Sequence, residues 1–182
     1  MQQNGYAFVP HLTYDEYRFY CLTTGINVDY SWGNQCWDSC ALLWYQYGLR
    51  LATGPRGYAY ECWTVSRNTN ARGPFKLITR KEDIKRGDIL VFNGHGSYYT
   101  GHICFADEDY HGNYIKCLGQ NQGQGTRSGT PSNIVNSSLT WFLGAFRNTK
   151  WRQIPPSPTP TPSKKRSDFP WVLYSKKLRE KR

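Results

Sequence analysis

The sequence predicts an α+β domain followed by a linker and a basic tail. Helical patterns are confined to the first 48 residues, whereas short runs of β-branched and aromatic residues follow from residue 88 onward. Separation of helices from strands along a chain is typical of α+β domains. The chain has 182 residues, which is enough for one domain of about 100–150 residues and a tail.

Two helices are predicted near the start of the chain. A capping-box pattern, threonine followed three residues later by glutamate, precedes a helix over about 14–22. Apolar residues recur at helical spacing over 36–47, where Asn34 can cap the helix and Gly48 ends it. Cys36 is therefore expected in the first turn of the second helix.

Short strands are predicted in the second half of the chain, over 88–92, 102–106, 113–118 and 140–146. Residues 107–112, DEDYHG, include Asp and Gly, which favour turns. The second and third strands should therefore pair as an antiparallel hairpin. The expected register places His102 opposite Gly119 and close to Asn121. Residues 54–73 are predicted to be rich in loops.

Charge and aromatic content limit the classes of partner. The chain carries 23 Lys and Arg against 13 Asp and Glu, a net charge of +10. Such a charge favours anionic partners, including wall polymers, acidic lipid headgroups and nucleic acid. Aromatic residues make up 16% of the chain, which predicts a folded body with aromatic-lined grooves rather than a disordered chain.

The beginning of the chain bears on localisation. No apolar run approaches the ~18–20 residues of a membrane span, so no transmembrane segment is predicted. The first residues lack the basic and apolar regions of a signal peptide. We therefore expect synthesis in the cytoplasm without a signal peptide.

The end of the chain changes composition abruptly. Residues 1–153 are predicted to form the domain, and residues 154–163, IPPSPTPTPS, an extended proline-rich linker. Residues 164–182 hold eight Lys and Arg against two acidic residues, a net charge of +6. This basic tail is expected to bind anionic wall polymers and add affinity rather than chemistry, with a solvated, disordered tail as the alternative.

The cysteine and histidine patterns exclude several metal and redox sites. The six cysteines form no CxxC pair and the chain has no HExxH segment, so neither a zinc ribbon, a thioredoxin site nor a metal-dependent amidase is indicated. We expect most cysteines to be free thiols. A cross-strand disulfide between Cys104 and Cys117 is the weaker alternative.

Cys36 and His102 are the candidate nucleophile and base. Unpaired N–H groups and the macrodipole at a helix start favour a thiolate, which suits Cys36. His102 opens a strand, a rigid position from which an imidazole can face a cleft. Taken singly, each residue is more often structural, Cys36 as a buried helix residue and His102 as a strand residue.

The ordered set of motifs resembles the CHAP family, the cysteine, histidine-dependent amidohydrolases and peptidases of bacterial and phage wall hydrolases. The resemblance runs from about Tyr14 to Trp151. Its segments are GINVDYSWGNQCWD (25–38), RGDILVF (86–92), GHICFA (101–106), LGQNQG (118–123) and FLGAFR (142–147). The resemblance implies a papain-like fold in which N-terminal helices pack on a small antiparallel sheet.

The resemblance also implies site residues. Cys36 matches the nucleophile, His102 the general base and Asn121 the polar residue that completes the site. Many family members carry a glutamate two positions before that asparagine, where this chain has Gly119. Orientation of His102 is then expected to fall to Asn121 or to Gln120.

The implied reaction is hydrolysis of an amide in peptidoglycan, by an N-acetylmuramoyl-L-alanine amidase or a peptide cross-bridge endopeptidase. The backbone N–H of Cys36 should help hold the oxyanion, with Gln35 a weaker candidate for a second donor. Four aromatic residues are candidates for the substrate groove, although each tryptophan fits a core equally well. They are Trp32, Trp37, Trp63 and Tyr98.

Calcium is the candidate metal, and no cofactor is required by the implied chemistry. Oxygen-bearing residues surround a turn before the second helix, as in CHAP members that bind calcium at the corresponding loop. They are Asn27, Asp29, Ser31, Gly33 and Asp38. In the alternative, the acids of this loop cap the Cys36 helix.

The resemblance favours a phage lysin that reaches the wall after release through a partner pore, or a lysin carried on the virion. The alternative function is a non-catalytic module that binds wall polymer or nucleic acid through basic and aromatic surface. No specific nucleic-acid partner is expected. A pure binder needs neither Cys36 nor His102, so these two residues discriminate between the functions.

Overall fold

The computed structural model describes residues 12–68, 72–123 and 130–153, together with two short backbone strands, β1 (Gln2–Gln3) and β2 (Tyr6–Ala7), that pair with each other. One compact unit spans Met1–Arg152. The predicted linker, 154–163, and the basic tail, 164–182, lie outside the described residues and stay predictions.

Three helices are described: α1 (Tyr14–Thr23), α2 (Cys36–Tyr45) and α3 (Glu61–Ser66). Both hydrogen bonds of the predicted capping box at the start of α1 are present. Helix α2 begins at Cys36 as expected, but Gln35 rather than Asn34 is its N-cap residue. Helix α3 lies within the segment that the sequence predicted to be loop.

The strands form one six-stranded antiparallel sheet in the order β3-β8-β4-β5-β6-β7. Strands β3 and β7 were not predicted, and the other four lie within two residues of their predicted bounds. The bounds are β3 (Phe75–Ile78), β4 (Ile89–Phe92), β5 (His102–Ala106), β6 (Tyr114–Gly119), β7 (Asn133–Ser138) and β8 (Phe142–Asn148).

The register of the β5–β6 hairpin differs from the prediction by two residues. Phe105 pairs with Leu118 and Ala106 with Cys117, a register that, continued, sets His102 opposite Asn121 instead of Gly119. The carboxylate of Glu108 accepts the backbone N–H of Lys116 at 2.9 Å. The turn is centred one residue further along the chain than predicted.

The cysteines are all free thiols, as expected for most of them. In the observed register, Cys104 and Cys117 are diagonal neighbours rather than opposed residues, so the weaker alternative of a cross-strand disulfide between them is wrong. Their side chains are hydrogen bonded to each other.

The sheet carries a buried apolar cluster on each face, as alternation along its strands requires. The larger cluster packs the sheet against α1, α2 and α3, which confirms the α+β fold with helices on the sheet.

Asp88, before β4, receives two hydrogen bonds of 2.8 Å from Arg147 in β8. Two of the sequence motifs are therefore joined by one buried ion pair. Within the described ranges, no helix combines the length and apolarity that crossing a bilayer requires.

Candidate active site

Cys36 and His102 meet where the start of helix α2 packs on the start of strand β5. Both side chains are half-buried, and they lie close enough to each other to interact through charge and a hydrogen bond. The backbone N–H of Ile103 is also within reach of the Cys36 sulfur. The two candidates chosen from the sequence are thus brought into direct contact.

The two groups shift each other's pKa toward an ion pair. Burial raises the pKa of the Cys36 thiol, but the charge and hydrogen bond of His102 and the N–H of Ile103 outweigh it, and the pKa falls below its ordinary value. Burial lowers the pKa of His102, but the thiolate and the hydrogen bonds to Cys36 and Gln122 outweigh it, and the pKa rises. The pair therefore favours a thiolate and an imidazolium.

Gln122 fixes the tautomer of His102. The amide N–H groups of Gln122 donate to the carbonyl oxygens of Cys117 and Asn133, each at 2.9 Å. Its Oε1 is thereby turned to Nε2 of His102, at 2.8 Å. An amide oxygen only accepts, so Nε2 carries the proton, and Nδ1 is the nitrogen left to take the thiol proton.

The expectation that Asn121 or Gln120 orients His102 is wrong in this geometry. The Nδ2 group of Asn121 donates to Oε1 of Gln35 at 2.8 Å, so Asn121 supports the residue before the nucleophile. The amide of Gln120 is fully buried, accepts from the N–H of Ile26 and donates to its carbonyl and to that of Gln35. Both residues hold the loop that leads into α2.

Sequence reasoning missed Gln122, although Gly119 gave a signal. A Cβ placed on Gly119 would lie 3.0 Å from Oε1 of Gln122. The amide of Gln122 therefore fills the space that a side chain at position 119 would enter. A strand end without the expected carboxylate predicts that a neighbouring polar residue takes its place, and Gln122 is three residues further on.

The candidate oxyanion donors lie at the start of α2. The N–H of Cys36 belongs to the first turn, where backbone donors have no partner within the helix. The side chain of Gln35 donates to the carbonyl of Trp32 at 2.6 Å and accepts from Asn121. Gln35 is thus held in a fixed position beside the nucleophile.

The four groove candidates have different environments. Tyr98 is 70% exposed and lines the cavity beside His102. Trp32 is 86% exposed, in the loop before α2. Trp63 is 4% exposed and packs on Phe146, so its assignment to the groove is wrong. Trp37 packs edge-on against Tyr45 and donates its indole N–H to the carbonyl of Leu51, so it serves packing.

The candidate calcium loop is organised as a helix cap. The two carboxylate oxygens of Asp38 accept the N–H groups of Val28 and Gln35, at 2.8 and 2.7 Å. Burial raises the pKa of Asp38 to about 6. Asp29 is exposed and accepts the N–H of Ser31. In the part of the chain that the structure describes, no cluster of three or more His, Cys, Asp or Glu is placed to hold a metal ion.

A family model and a curated relative match this chain. The family model described as "CHAP domain" matches residues 25–121, more than half of the chain. A curated relative, the D-alanyl-L-alanine endopeptidase of Streptococcus phage B30, is 34% identical over 115 residues, which are 61% of this chain. The matched region spans only 25% of that relative's length.

A solved structure shares the fold. The crystal structure of the wild-type endolysin LysIME-EF1 superposes with a TM-score of 0.60 at 19% sequence identity. The match covers 77% of this chain and 65% of the endolysin chain. At this identity the likeness concerns the fold alone.

Substitution of Gln122 should narrow the pH range of activity. In Gln122→Met, the imidazolium loses its acceptor, so the pKa of His102 should fall and the alkaline limb of kcat/KM should move to lower pH. The acid limb should move little, because it reports loss of the thiol proton beside a histidine that is protonated before and after that loss. In Gln122→Glu, a carboxylate at the same place should move the alkaline limb to higher pH.

A buried amide away from the site provides the control for this prediction. Asn148 is buried and donates to the hydroxyl of Tyr47, so Asn148→Leu loses comparable hydrogen bonds without touching His102. Its pH limbs should coincide with those of the parent. Identical limbs in Gln122→Met and in the parent would show that Gln122 does not act on the pair.

Calcium binding by the loop stays a prediction, with exposed Asp29 as its main ligand because Asp38 is held by backbone donors. Calcium added to chelator-stripped protein should raise its melting temperature, since binding to the folded state alone stabilises it. Asp29→Asn should abolish this rise. Unchanged melting of the parent, with no heat in a calorimetric titration, would remove the site.

Proposed function

Because this chain belongs to the CHAP domain family, we propose that it is a peptidoglycan hydrolase that cleaves an amide bond through the Cys36 thiolate and His102. The contact between these two side chains carries the proposal. Their pKa shifts favour the reactive ion pair, and Gln122 directs the basic nitrogen of His102 to the thiol. A module that only binds wall polymer has no use for this arrangement.

The proposed reaction proceeds in two halves. The Cys36 sulfur attacks the amide carbonyl, and the N–H of Cys36 stabilises the negative oxygen. His102 gives its Nδ1 proton to the leaving amine as the C–N bond breaks, which leaves a thioester on Cys36. His102 then takes a proton from water, the hydroxide attacks the thioester, and the carboxylate product departs as the thiolate forms again.

Two bonds fit this chemistry: the amide between N-acetylmuramic acid and L-alanine, and a peptide bond in the cross-bridge. The name of the streptococcal phage relative, D-alanyl-L-alanine endopeptidase, favours the peptide bond. Mass spectrometry of the termini that appear when the protein digests purified walls identifies the bond.

We propose a phage lysin as the biological role, released to the wall or carried on the virion. Its substrate partner would be bacterial peptidoglycan. The basic tail would add a second contact, with anionic wall polymers, because eight of its nineteen residues are Lys or Arg.

Loss of the nucleophile should abolish lysis. In Cys36→Ala, no thiolate can form the thioester, so wall clearing should fall to background while the fold persists, because the substitution removes one half-buried sulfur. Cys40→Ala is the matched control, since Cys40 lies one turn further along α2 in the core, and it should clear walls.

His102→Ala should be as inactive as Cys36→Ala, because the thiol then lacks its base and the leaving amine its acid. Turbidity of wall suspensions measures both rates, and melting curves confirm folding. A folded Cys36→Ala protein that clears walls at the parental rate would disprove the cysteine mechanism.

Removal of the tail should weaken wall binding but not the chemistry. A chain that ends at Gln153 should keep its turnover on soluble wall fragments and sediment less with intact walls, since attraction of ~1 kcal/mol per basic residue near a charged surface is lost. The difference should shrink as salt rises. Equal sedimentation of both chains at low ionic strength would contradict this role.

A further inference from the structure

A cavity of about 430 Å³ opens beside His102. His102 and Gln122 form one end of it, and Trp141 and His95 stand further along its lining. Cys36 is not among the residues that line it. The cavity is therefore continuous with the base of the proposed site but not with its nucleophile.

The aromatic wall of the cavity is preformed. The ring of His95 stacks on the indole of Trp141, with centroids 4.8 Å apart and planes 19° from parallel. The N–H of Asn93 donates to the carbonyl of Trp141 at 2.8 Å. A Cβ on Gly94 would lie 2.1 Å from the carbonyl oxygen of Tyr99, so the loop is closed tightly on itself. Such a preformed wall is typical of binding pockets.

The lining is electrically neutral apart from its histidines. It consists of aromatic, amide, hydroxyl and small apolar side chains, and no Asp, Glu, Lys or Arg is among the described residues that border it. Once His102 has given its proton to the leaving amine, burial of a charged group among such residues would cost desolvation that no Asp, Glu, Lys or Arg there offsets. The cavity therefore suits an uncharged ligand with hydrogen-bonding groups.

The backbone of strand β7 borders the cavity. Residues 135–138 all line it, whereas one face of a strand would contribute only every second residue. Strand β7 is also the last strand in the order of the described sheet. Its outer edge presents N–H and C=O groups of the kind that an extended peptide pairs with.

The reaction chemistry identifies what lies in this cavity. His102 protonates the leaving nitrogen, so the fragment bonded to that nitrogen extends past His102, while the acyl fragment stays with Cys36. In both candidate wall bonds the fragment that leaves as an amine is a peptide. We propose that the cavity is the subsite for an uncharged segment of this leaving peptide; this inference rests on the proposed function but not on which bond is cut.

Transfer of the acyl group to an added peptide tests the subsite. Tri-alanine amide with a free amino group should compete with water for the thioester: its amine attacks the carbonyl, a new amide forms and the Cys36 thiolate leaves. Mass spectrometry of wall digests should show transfer that saturates with peptide concentration. An acceptor with glutamate in place of the second alanine should be at least about tenfold poorer, because its charge enters a neutral cavity.

Two variants test whether the added peptide binds in the cavity. Trp141→Ala should raise the half-saturating concentration of tri-alanine amide by about tenfold, and Asn136→Ala, at an exposed position of the lining, should raise it in the same direction. Tyr114→Ala is the control, because Tyr114 is an exposed aromatic residue outside the lining. Unchanged saturation in both folded cavity variants would overturn the proposal.

A separate binding measurement distinguishes failure of the subsite from failure of the proposed function. If no wall amide is cut, the hydrolase proposal fails, and NMR titration of the Cys36→Ala protein still reports whether tri-alanine amide shifts the Trp141 indole signal. Such a shift supports a peptide site, and its absence overturns one. Displacement of the peptide by N-acetylglucosamine oligomers would identify a glycan site instead and also overturn the proposal.

Discussion

The packing of the start of helix α2 on the start of strand β5 is the constraint on which the site depends. It brings the Cys36 sulfur to the N–H of Ile103 and to the ring of His102. The same helix buries Leu43 and Trp44 in the cluster that contains Ile103. Because interiors are closely packed and resist small displacements, the apolar contacts fix the separation of the two reactive groups. The hydrophobic core is thereby part of the catalytic geometry.

Buried polar side chains hold the segments beside the site that apolar packing alone does not fix, namely the loop before α2 and the end of β6. Asp38, Gln120 and Gln122 are each less than 10% exposed, and each uses its polar atoms on backbone groups or on His102. A buried amide or carboxylate is costly unless it is satisfied. Each of these contacts therefore disfavours any arrangement that breaks it, which holds the loop before α2 and the end of β6 in place.

The sequence predicted the parts of the site that local patterns encode. The capping box, the helical spacing around Cys36 and the strand that begins at His102 are local, and the structure agrees with them. The hairpin register was wrong because residues that favour a turn, here 107–112, do not fix where the centre of the turn lies. Strand β7 was missed because NIVNSS carries few apolar residues for an edge strand that is partly exposed. Gln122 was missed because its role depends on contacts across three strands, and Gly119 indicated only that the usual carboxylate is absent.

Gln122, the partner of His102, is neutral and adds no charge to the site. A carboxylate beside His102 would stabilise the imidazolium more strongly but would add a negative charge that persists when the histidine is neutral. Gln122 accepts from Nε2 in both states, so it fixes the tautomer without adding charge. The only charges that develop are then those of the thiolate and the imidazolium, which cancel. Gln122 therefore adds no fixed charge to the neutral cavity that it lines, and discrimination among leaving peptides falls to shape, hydrogen bonds and the cost of desolvating a charged residue.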